Sequence, residues 1–298
     1  MAVDACRKAA DAGQETPCRD LRPNNFEALK VFKEERPSGN CYMRYAIISD
    51  IHANPVALEV ALADARSHQV NRIVCLGDVV GYGPDPVEAV ALCRSSCDVV
   101  LMGNHDAAVA GVTDTRNFIA FAQDGVRRHS SELNDADKEW LRGLQYVYRD
   151  RSILCAHGTP VYPDLFLYMN DAEPVAMSLE WMTRQKKRLL FIGHTHHACT
   201  IIYGPDNKLR VAKADEDIVL DRRSTYLVNV GSVGYPRADH DITYVLYDTA
   251  TKTVTFRHLP FDFDGYVARM EAKNVRLPLW LSDYMRLRAA EIASKGGK

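Results

Sequence analysis

The chain has 298 residues, of which 47% are apolar and 26% charged, and its formal net charge is −2 at pH 7. No run approaches the roughly 20 apolar residues of a membrane-spanning helix, and acidic and basic residues are about equally frequent, so the composition excludes a membrane protein and gives no extended nucleic-acid-binding surface. The eight cysteines include no C-x-x-C pair, and the first residues hold no apolar segment typical of a secretory signal. We therefore expect free thiols and a cytoplasmic location.

Residues 1–42 are polar, contain three prolines and carry one short amphipathic pattern between Phe26 and Phe32. We interpret them as an N-terminal extension that is flexible or loosely docked. Met43 stands just before the first strand, so a translation start there is the alternative. Residues 43–298 are predicted to form one domain.

From Arg44 onward, short β-branched runs alternate with segments of helical pattern, which predicts an α/β domain. The predicted strands are 45–49, 72–76, 99–102, 152–156 and 189–192, and the predicted helices lie near 55–68, 85–96, 115–131 and 173–187. We expect a helical insert at about 107–148 to overhang the candidate site, with a helix N-cap at Asn134. The arginines of this insert (Arg116, Arg127 and Arg128) are interpreted as a solvated helix face.

After residue 199, strand follows strand, which predicts a second and largely antiparallel set. Its members are 200–203, 209–212, 226–230, 243–247 and 254–258, and helices near 262–273 and 278–293 follow.

Polar motifs stand where the first five strands end. They are Asp50-Ile51-His52, Gly77-Asp78, Gly103-Asn104-His105-Asp106, His157-Gly158 and Gly193-His194-Thr195-His196. Because the carboxyl ends of strands in an open α/β sheet face one crevice, we expect these motifs to meet. In the D-x-H and H-x-H motifs, an extended backbone would point residues i and i+2 to the same side.

Carboxylates, imidazoles and an amide form a mixed oxygen and nitrogen ligand set. Such a set suits Mn²⁺, Fe²⁺, Zn²⁺ or Ni²⁺ better than Ca²⁺ or a thiolate-bound ion. The alternative is that each histidine has only a structural role, as a hydrogen-bonded residue. We interpret four histidines in this way: His68, His129, His240 and His258. At the five strand ends the same alternative requires five independent coincidences. His197 adjoins a motif, but strand alternation would turn its side chain away from His196.

The series D-x-H, G-D, G-N-H-D, H-G and G-H-T-H, in this order over about residues 44–197, resembles the signature of the calcineurin-like metallophosphoesterase family. Residues 229–234 (Asn-Val-Gly-Ser-Val-Gly) resemble the N-x-G-S-V loop of its small prokaryotic phosphodiesterase branch. The resemblance implies an α/β fold, a four-layer α-β-β-α sandwich of two mixed β-sheets flanked by helices.

The resemblance also implies two divalent metal ions (Mn, Fe, Zn or Ni). Asp50, His52 and His196 would hold the first ion, Asn104, His157 and His194 the second, and Asp78 would bridge both. His105 would protonate the leaving oxygen, and Asp106 would orient its ring. Arg237, which follows the Gly-Ser-Val-Gly loop, is the candidate phosphate contact. Tyr82 and Tyr235 are candidates to stack against a base, although surface tyrosines seldom do so.

The function implied is hydrolysis of a phosphodiester or nucleotide ester by direct attack of a metal-bridging hydroxide on phosphorus. Alternatives are a phosphomonoesterase, a dinucleoside polyphosphate hydrolase, or a non-catalytic scaffold of the same fold. The arginine of the Asp-Arg-Gly loop of serine/threonine protein phosphatases is absent here, where Val79 and Val80 follow Asp78, and this disfavours protein phosphatase activity and the related symmetrical dinucleoside-tetraphosphate hydrolase. We expect a small phosphate-ester or nucleotide substrate and leave the oligomeric state open.

Overall fold

The computed structural model describes residues 42–237 and 241–277, and in these ranges the chain forms twelve β-strands and seven α-helices. The helices are α1 (Pro55–Ser67), α2 (Pro86–Ser96), α3 (Asn104–Val109), α4 (Ala120–Glu132), α5 (Asp135–Arg142), α6 (Ala172–Arg184) and α7 (Phe263–Ala272). A short 3₁₀ helix covers Pro163–Leu165. The predicted helix 278–293, the extension up to residue 41 and His240 lie outside the described residues.

The first sheet has the strand order β3-β2-β1-β11-β12-β9. Its strands are β1 (Arg44–Ile48), β2 (Arg72–Cys75), β3 (Val99–Val100), β9 (Ile218–Val219), β11 (Ile242–Asp248) and β12 (Thr253–Leu259). Strands β1, β2 and β3 are parallel, whereas β11, β12 and β9 add to them in antiparallel register. The carboxyl ends of the parallel strands therefore meet at one edge.

The second sheet has the strand order β4-β5-β6-β10-β7-β8. Its strands are β4 (Val147–Arg149), β5 (Leu154–Ala156), β6 (Leu189–Ile192), β7 (Cys199–Tyr203), β8 (Leu209–Lys213) and β10 (Thr225–Asn229). Here β5, β6 and β10 are parallel and the outer strands antiparallel. The strands after residue 199 pair largely antiparallel, as predicted, but they do not form a second set of their own, because they are divided between both sheets and make each one mixed.

Alternate residues of β1 show how the layers form. Tyr45 and Ile47 point into the core between the two sheets, where they join Phe191 of β6. Ala46 and Ile48 point to the opposite side and pack under the helices that cover the first sheet. The outer side of the second sheet packs in the same way against Val175, Leu179 and Met182 of α6. The four-layer α-β-β-α sandwich is confirmed.

Two helix starts follow the sequence signals. The side-chain oxygen of Asn54 accepts a hydrogen bond from the backbone N–H of Ala57 at 3.2 Å, ahead of a proline at the start of α1. The predicted cap at Asn134 is confirmed, since it accepts from the N–H of Asp137 at 2.9 Å. Helix α3 was not predicted, and it begins inside the Gly-Asn-His-Asp motif.

Within residues 42–237 and 241–277, no helix has both the length and the apolar composition to cross a membrane. The cysteines of these ranges (Cys75, Cys93, Cys97, Cys155 and Cys199) are free thiols, as predicted.

Candidate metal centre

The polar motifs lie at the carboxyl ends of strands in both sheets. Asp50 and Asp78 follow β1 and β2 of the first sheet, whereas His157 and His194 follow β5 and β6 of the second. The crevice therefore lies between two facing sheets rather than along a single one. It holds three overlapping groups of buried side chains whose candidate ligand atoms lie within 4.8 Å of one another. We call Asp50, His52 and His196 the first ligand group and Asp78, His157 and His194 the second ligand group; the remaining group is His52, Asp78 and His105.

The backbone at these residues is left-handed rather than extended. The φ angles are 57° at Asp50, 48° at His52, 52° at Asp78, 67° at His194 and 61° at His196. The expected i, i+2 geometry of an extended strand was therefore wrong, because the chain turns sharply at each motif. Left-handed conformations are uncommon for residues other than glycine and concentrate at functional sites, where surrounding contacts must hold them.

The first ligand group brings three lone pairs together. His52 Nδ1 donates to the carbonyl of Val80 at 3.1 Å, and His196 Nδ1 donates to the carbonyl of Tyr235 at 2.8 Å. Because a carbonyl can only accept, each neutral ring carries its proton on Nδ1 and presents a bare Nε2. The two Nε2 atoms are 3.1 Å apart, and His196 Nε2 is 3.1 Å from Asp50 Oδ1. Such an arrangement of acceptors fits a cation among them.

The second ligand group is built around Asp78. His157 Nε2 lies 3.3 Å from Asp78 Oδ2 and 3.3 Å from Asn104 Oδ1. His194 Nε2 is buried and, within the described part of the chain, has no hydrogen-bond partner. Asp78 Oδ2 is also 3.7 Å from His52 Nε2, so this carboxylate reaches both ligand groups. An unpartnered imidazole nitrogen beside a shared carboxylate suits a second cation.

Charge in this pocket is buried and mutually dependent. Burial opposes ionisation of Asp50 and Asp78, but the neighbouring histidines hold the pKa of both carboxyls below the usual value. Burial also opposes protonation of His157, yet the Asp78 carboxylate raises its pKa to about 9. At His194, burial lowers the pKa to about 3. The pocket thus holds two carboxylates that divalent ions would neutralise.

The loop after β10 holds the first ligand group in place. Ser232 Oγ donates to the carbonyl of Asp50 at 2.9 Å, and Asn229 Nδ2 donates to the carbonyl of Gly193 at 2.8 Å. A Cβ at Gly234 would lie 1.6 Å from the carbonyl oxygen of Ile51, and only glycine allows that approach. The Asn-Val-Gly-Ser-Val-Gly segment therefore acts as a brace for the ligand-bearing turns.

His105 lies at the centre, outside the first and second ligand groups but within 4.8 Å of ligand atoms of His52 and Asp78. Its ring is 4.5 Å from Tyr82 and 5.1 Å from Phe118 between centroids, and its backbone N–H donates to Asp78 Oδ1 at 2.8 Å. Burial lowers the pKa of this imidazole to about 3, although the Asp78 carboxylate acts in the opposite direction. Phe118 belongs to the insert 107–148, so that segment reaches the centre.

The structure does not show the expected contact between Asp106 and the His105 ring. The two carboxylate oxygens of Asp106 instead accept from the N–H groups of Gly103 at 3.0 Å and Val80 at 3.1 Å. The reason is local, since Asp106 occupies the first turn of α3 and its carboxylate caps that helix. Burial, with the charge of Asp78, raises the pKa of Asp106 to about 7.

Tyr82 and Tyr235 are buried, with exposed fractions of 7% and 4%, and their rings stack on each other with 4.5 Å between centroids. They are therefore not placed to stack against a base, which was their candidate role. His129 holds the loop of Tyr82 by two hydrogen bonds. Its Nδ1 accepts from the N–H of Gly81 at 2.9 Å, and its Nε2 donates to the carbonyl of Gly83 at 3.0 Å. The structural interpretation of His129 is confirmed.

Among the insert arginines, Arg116 and Arg127 are exposed and paired with nearby aspartates, as interpreted. Arg128 is not solvated in this way, because its guanidinium donates to the carbonyl of Tyr82 at 3.0 Å and so braces the same loop.

A model of the calcineurin-like phosphoesterase superfamily domain matches residues 43–252. The chain belongs to this superfamily. The crystal structure of a metallophosphoesterase from Sphaerobacter thermophilus is 31% identical, covers 81% of this chain and 97% of that chain, and has a TM-score of 0.69. An uncharacterized protein of Methanocaldococcus jannaschii is 27% identical over 249 residues, which are 81% of this chain and 97% of that protein.

A hypothetical protein from Pyrococcus horikoshii OT3 is 19% identical over 80% of this chain and 95% of its own, with a TM-score of 0.62, and shares the fold. The family model and the 31% identical metallophosphoesterase confirm the family that the motifs predicted. Membership of this family supports metal-dependent hydrolysis of phosphoric esters by this calcineurin-like phosphoesterase.

The phosphoesterase site includes one aromatic residue that the sequence did not indicate. Tyr168 stacks on His194 with 4.0 Å between ring centroids and 21° between ring planes. It lies in a loop outside every motif, without periodicity or a flanking glycine, so no pattern marked it.

Proposed function

We propose that this phosphoesterase hydrolyses a small phosphodiester or nucleotide ester with two divalent ions. Asp50, His52 and His196 would hold one ion, Asn104, His157 and His194 the other, and Asp78 would bind both. The observation that carries the proposal is the placement of Asp78 between two groups of buried ligand atoms, which the distances above describe.

When bound, the ions would neutralise phosphate charge and lower the pKa of the water that attacks phosphorus, and the mixed oxygen and nitrogen ligands suit Mn²⁺, Fe²⁺, Zn²⁺ or Ni²⁺. The left-handed turns and the brace after β10 support this role, since ligands fixed before binding need no reorganisation.

His105 is the proposed proton donor to the leaving oxygen. Its ring is buried beside Asp78, and its Nδ1, which lies against Gly81, has no hydrogen-bond partner among the described residues. Burial disfavours the charged imidazolium, and an incoming phosphate anion would favour it. In this proposal Asp106 acts by fixing α3, which positions His105.

Arg237 is the proposed phosphate contact. It is exposed, and its guanidinium carbon lies 5.9 Å from the centroid of the Tyr235 ring. Burial raises the pKa of Tyr82 and of Tyr168, and the charge of Arg237 opposes the rise at both rings. Its contact with the Tyr235 ring, which packs against His52 and His196, puts Arg237 close to the first ligand group, where it would attract a phosphate.

A diester is preferred over a monoester because Val79 and Val80, which follow Asp78, are fully buried and supply no cation for a second phosphate charge. The test compares hydrolysis of bis(p-nitrophenyl) phosphate and p-nitrophenyl phosphate by the Mn²⁺-loaded protein. A monoester rate more than tenfold higher would overturn the substrate class. A loaded protein that cleaves neither ester would favour the scaffold alternative.

Two variants test the assignment of roles. Asp78→Asn should abolish hydrolysis and lower the bound metal, because it removes the shared negative ligand. His105→Ala should lower kcat by about 10²-fold or more while the metal content stays at the wild-type level. His68→Ala, which removes a partly exposed imidazole at the C-cap of α1, is the matched control. Metal loss in His105→Ala, or wild-type turnover in either site variant, would contradict these roles.

The cytoplasmic location and the division at residue 42 stay predictions.

A further inference from the structure

Tyr168 is held at the mouth of the crevice by neighbours that are themselves buried. Phe166 packs edge-on to His157 with ring centroids 6.0 Å apart, and Met169 lies in the core under α6, where Ser178 Oγ contacts its sulfur at 3.5 Å. The lack of a side chain at Gly158 leaves room for residues 166–169, since a Cβ there would lie 2.9 Å from the carbonyl oxygen of Leu167. Buried residues before and after Tyr168 in the chain therefore fix its position.

Between these buried neighbours, Tyr168 itself is 47% exposed. One face of its ring covers the imidazole of His194, as the near-parallel stacking shows. Burial of an aromatic side chain is favourable, so a ligand that covers the exposed part of this ring would be stabilised by the contact. The stacked Tyr82 and Tyr235 across the centre are buried, so Tyr168 is the ring of these three that a ligand can reach.

The surroundings of Tyr168 fit one kind of ligand. Because the Tyr168 ring stacks on His194, a proposed ligand of the second ion, it lies beside the proposed phosphate position. A flat aromatic group attached to that phosphate could lie on the open face of Tyr168. Stacking of this kind accepts any base, since every base has an aromatic face.

We propose that Tyr168 is the platform that binds the nucleobase of the substrate, which makes the preferred substrate a nucleotide ester rather than a simple phosphodiester. This inference rests on the proposed phosphoesterase function and adds the residue that selects the substrate. Tyr168 acts in binding and takes no part in breaking the P–O bond.

The test uses two methyl phosphodiesters that differ only in the base: the methyl ester of adenosine 5′-monophosphate and the methyl ester of ribose 5-phosphate. Hydrolysis by the Mn²⁺-loaded protein is followed by ³¹P NMR. The wild type should prefer the adenosine ester in kcat/KM. Tyr168→Ala should lower that preference about tenfold, chiefly through KM, whereas Tyr168→Phe should keep it because the ring remains.

The matched control is Leu165→Ala, a large apolar side chain on the same segment that is 59% exposed. It should leave the preference unchanged, since it removes exposed apolar surface without removing the ring on His194. An equal loss for both esters in Tyr168→Ala would overturn the proposal and leave Tyr168 as a cover of His194.

A binding measurement separates this inference from the proposed function. Calorimetry compares adenosine 5′-monophosphate with ribose 5-phosphate on the same loaded protein. Tyr168→Ala should weaken the nucleotide about tenfold more than the sugar phosphate. If the wild type cleaves neither ester but shows this difference, the hydrolytic function fails and the platform stands. If it cleaves both without preference and binds both equally, the platform fails and the hydrolytic function stands.

Discussion

Gly193 is the position where a single methyl group should disturb the centre most directly. An added Cβ would lie 2.0 Å from Ser49 Oγ and 2.5 Å from Asp50 Oδ2, whereas ordinary contact begins near 3.4 Å. Either the end of β1 or the turn that carries His194 and His196 must therefore move by about 1 Å. Metal ligands tolerate shifts of only about 0.2 Å, so this displacement should separate ligands supplied by the two sheets.

Gly193→Ala should weaken Mn²⁺ binding by about 10- to 100-fold and lower the free energy of unfolding by about 1–3 kcal/mol. Metal affinity is measured by competition with a chelating dye, and stability by urea denaturation of the metal-free protein. Gly143→Ala is the control, because Gly143 is an exposed cap of α5 whose Cβ would meet nothing closer than 3.4 Å. Wild-type affinity in Gly193→Ala would refute the idea that close approach of the two sheets fixes the ligands.

Two further predictions concern stability away from the ligands. Burial holds the pKa of His129 well below its usual value, so this imidazole stays neutral in the folded state. In the unfolded state it binds a proton as the pH falls below about 6.5. The free energy of unfolding should therefore fall by on the order of 2 kcal/mol between pH 7 and pH 5. In urea denaturation at the two pH values, His129→Gln should show a correspondingly smaller drop, and an identical drop would mean that His129 is already charged in the fold. The buried carboxylate of Asp85 pairs at 2.7 Å each with Arg269 of α7 and with Lys273, the C-cap residue of that helix. Because both cations are half-exposed, Asp85→Asn should lower the free energy of unfolding by only about 1.5 kcal/mol. Faster hydrogen exchange confined to α7 would support this anchor, and unchanged exchange there would contradict it.

Local patterns predicted the strands that carry the site. Each of the five motifs follows a short apolar run, and the runs of β1, β2, β5 and β6 are buried on both faces. Because the chemistry stands at strand ends, the motifs were expected to meet in one crevice, and the family resemblance then divided their side chains between two ions. The short strands β4 and β9, of three and two residues, gave too little pattern to be recognised.

The division of strands between sheets depends on contacts that no local window contains. Strand β1 pairs with β11, so Tyr45 lies opposite Tyr247, about two hundred residues further along the chain. Neither hydrophobic alternation nor turn residues encode that choice of partner. The open face of Tyr168 is hidden from the sequence for the same reason, since it depends on where His194 and Phe166 lie.

The backbone of the centre explains why a brace is needed. Five of the seven candidate ligands are left-handed, and each such residue costs of order 1 kcal/mol relative to an ordinary conformation. That cost would favour relaxed turns and separated ligands unless other contacts opposed it. The hydrogen bonds from Ser232 and Asn229, with the close approach of Gly234, oppose it at the turns of Asp50 and His194. The fold therefore fixes the ligand positions in advance, so ion binding need not supply the energy of assembling them.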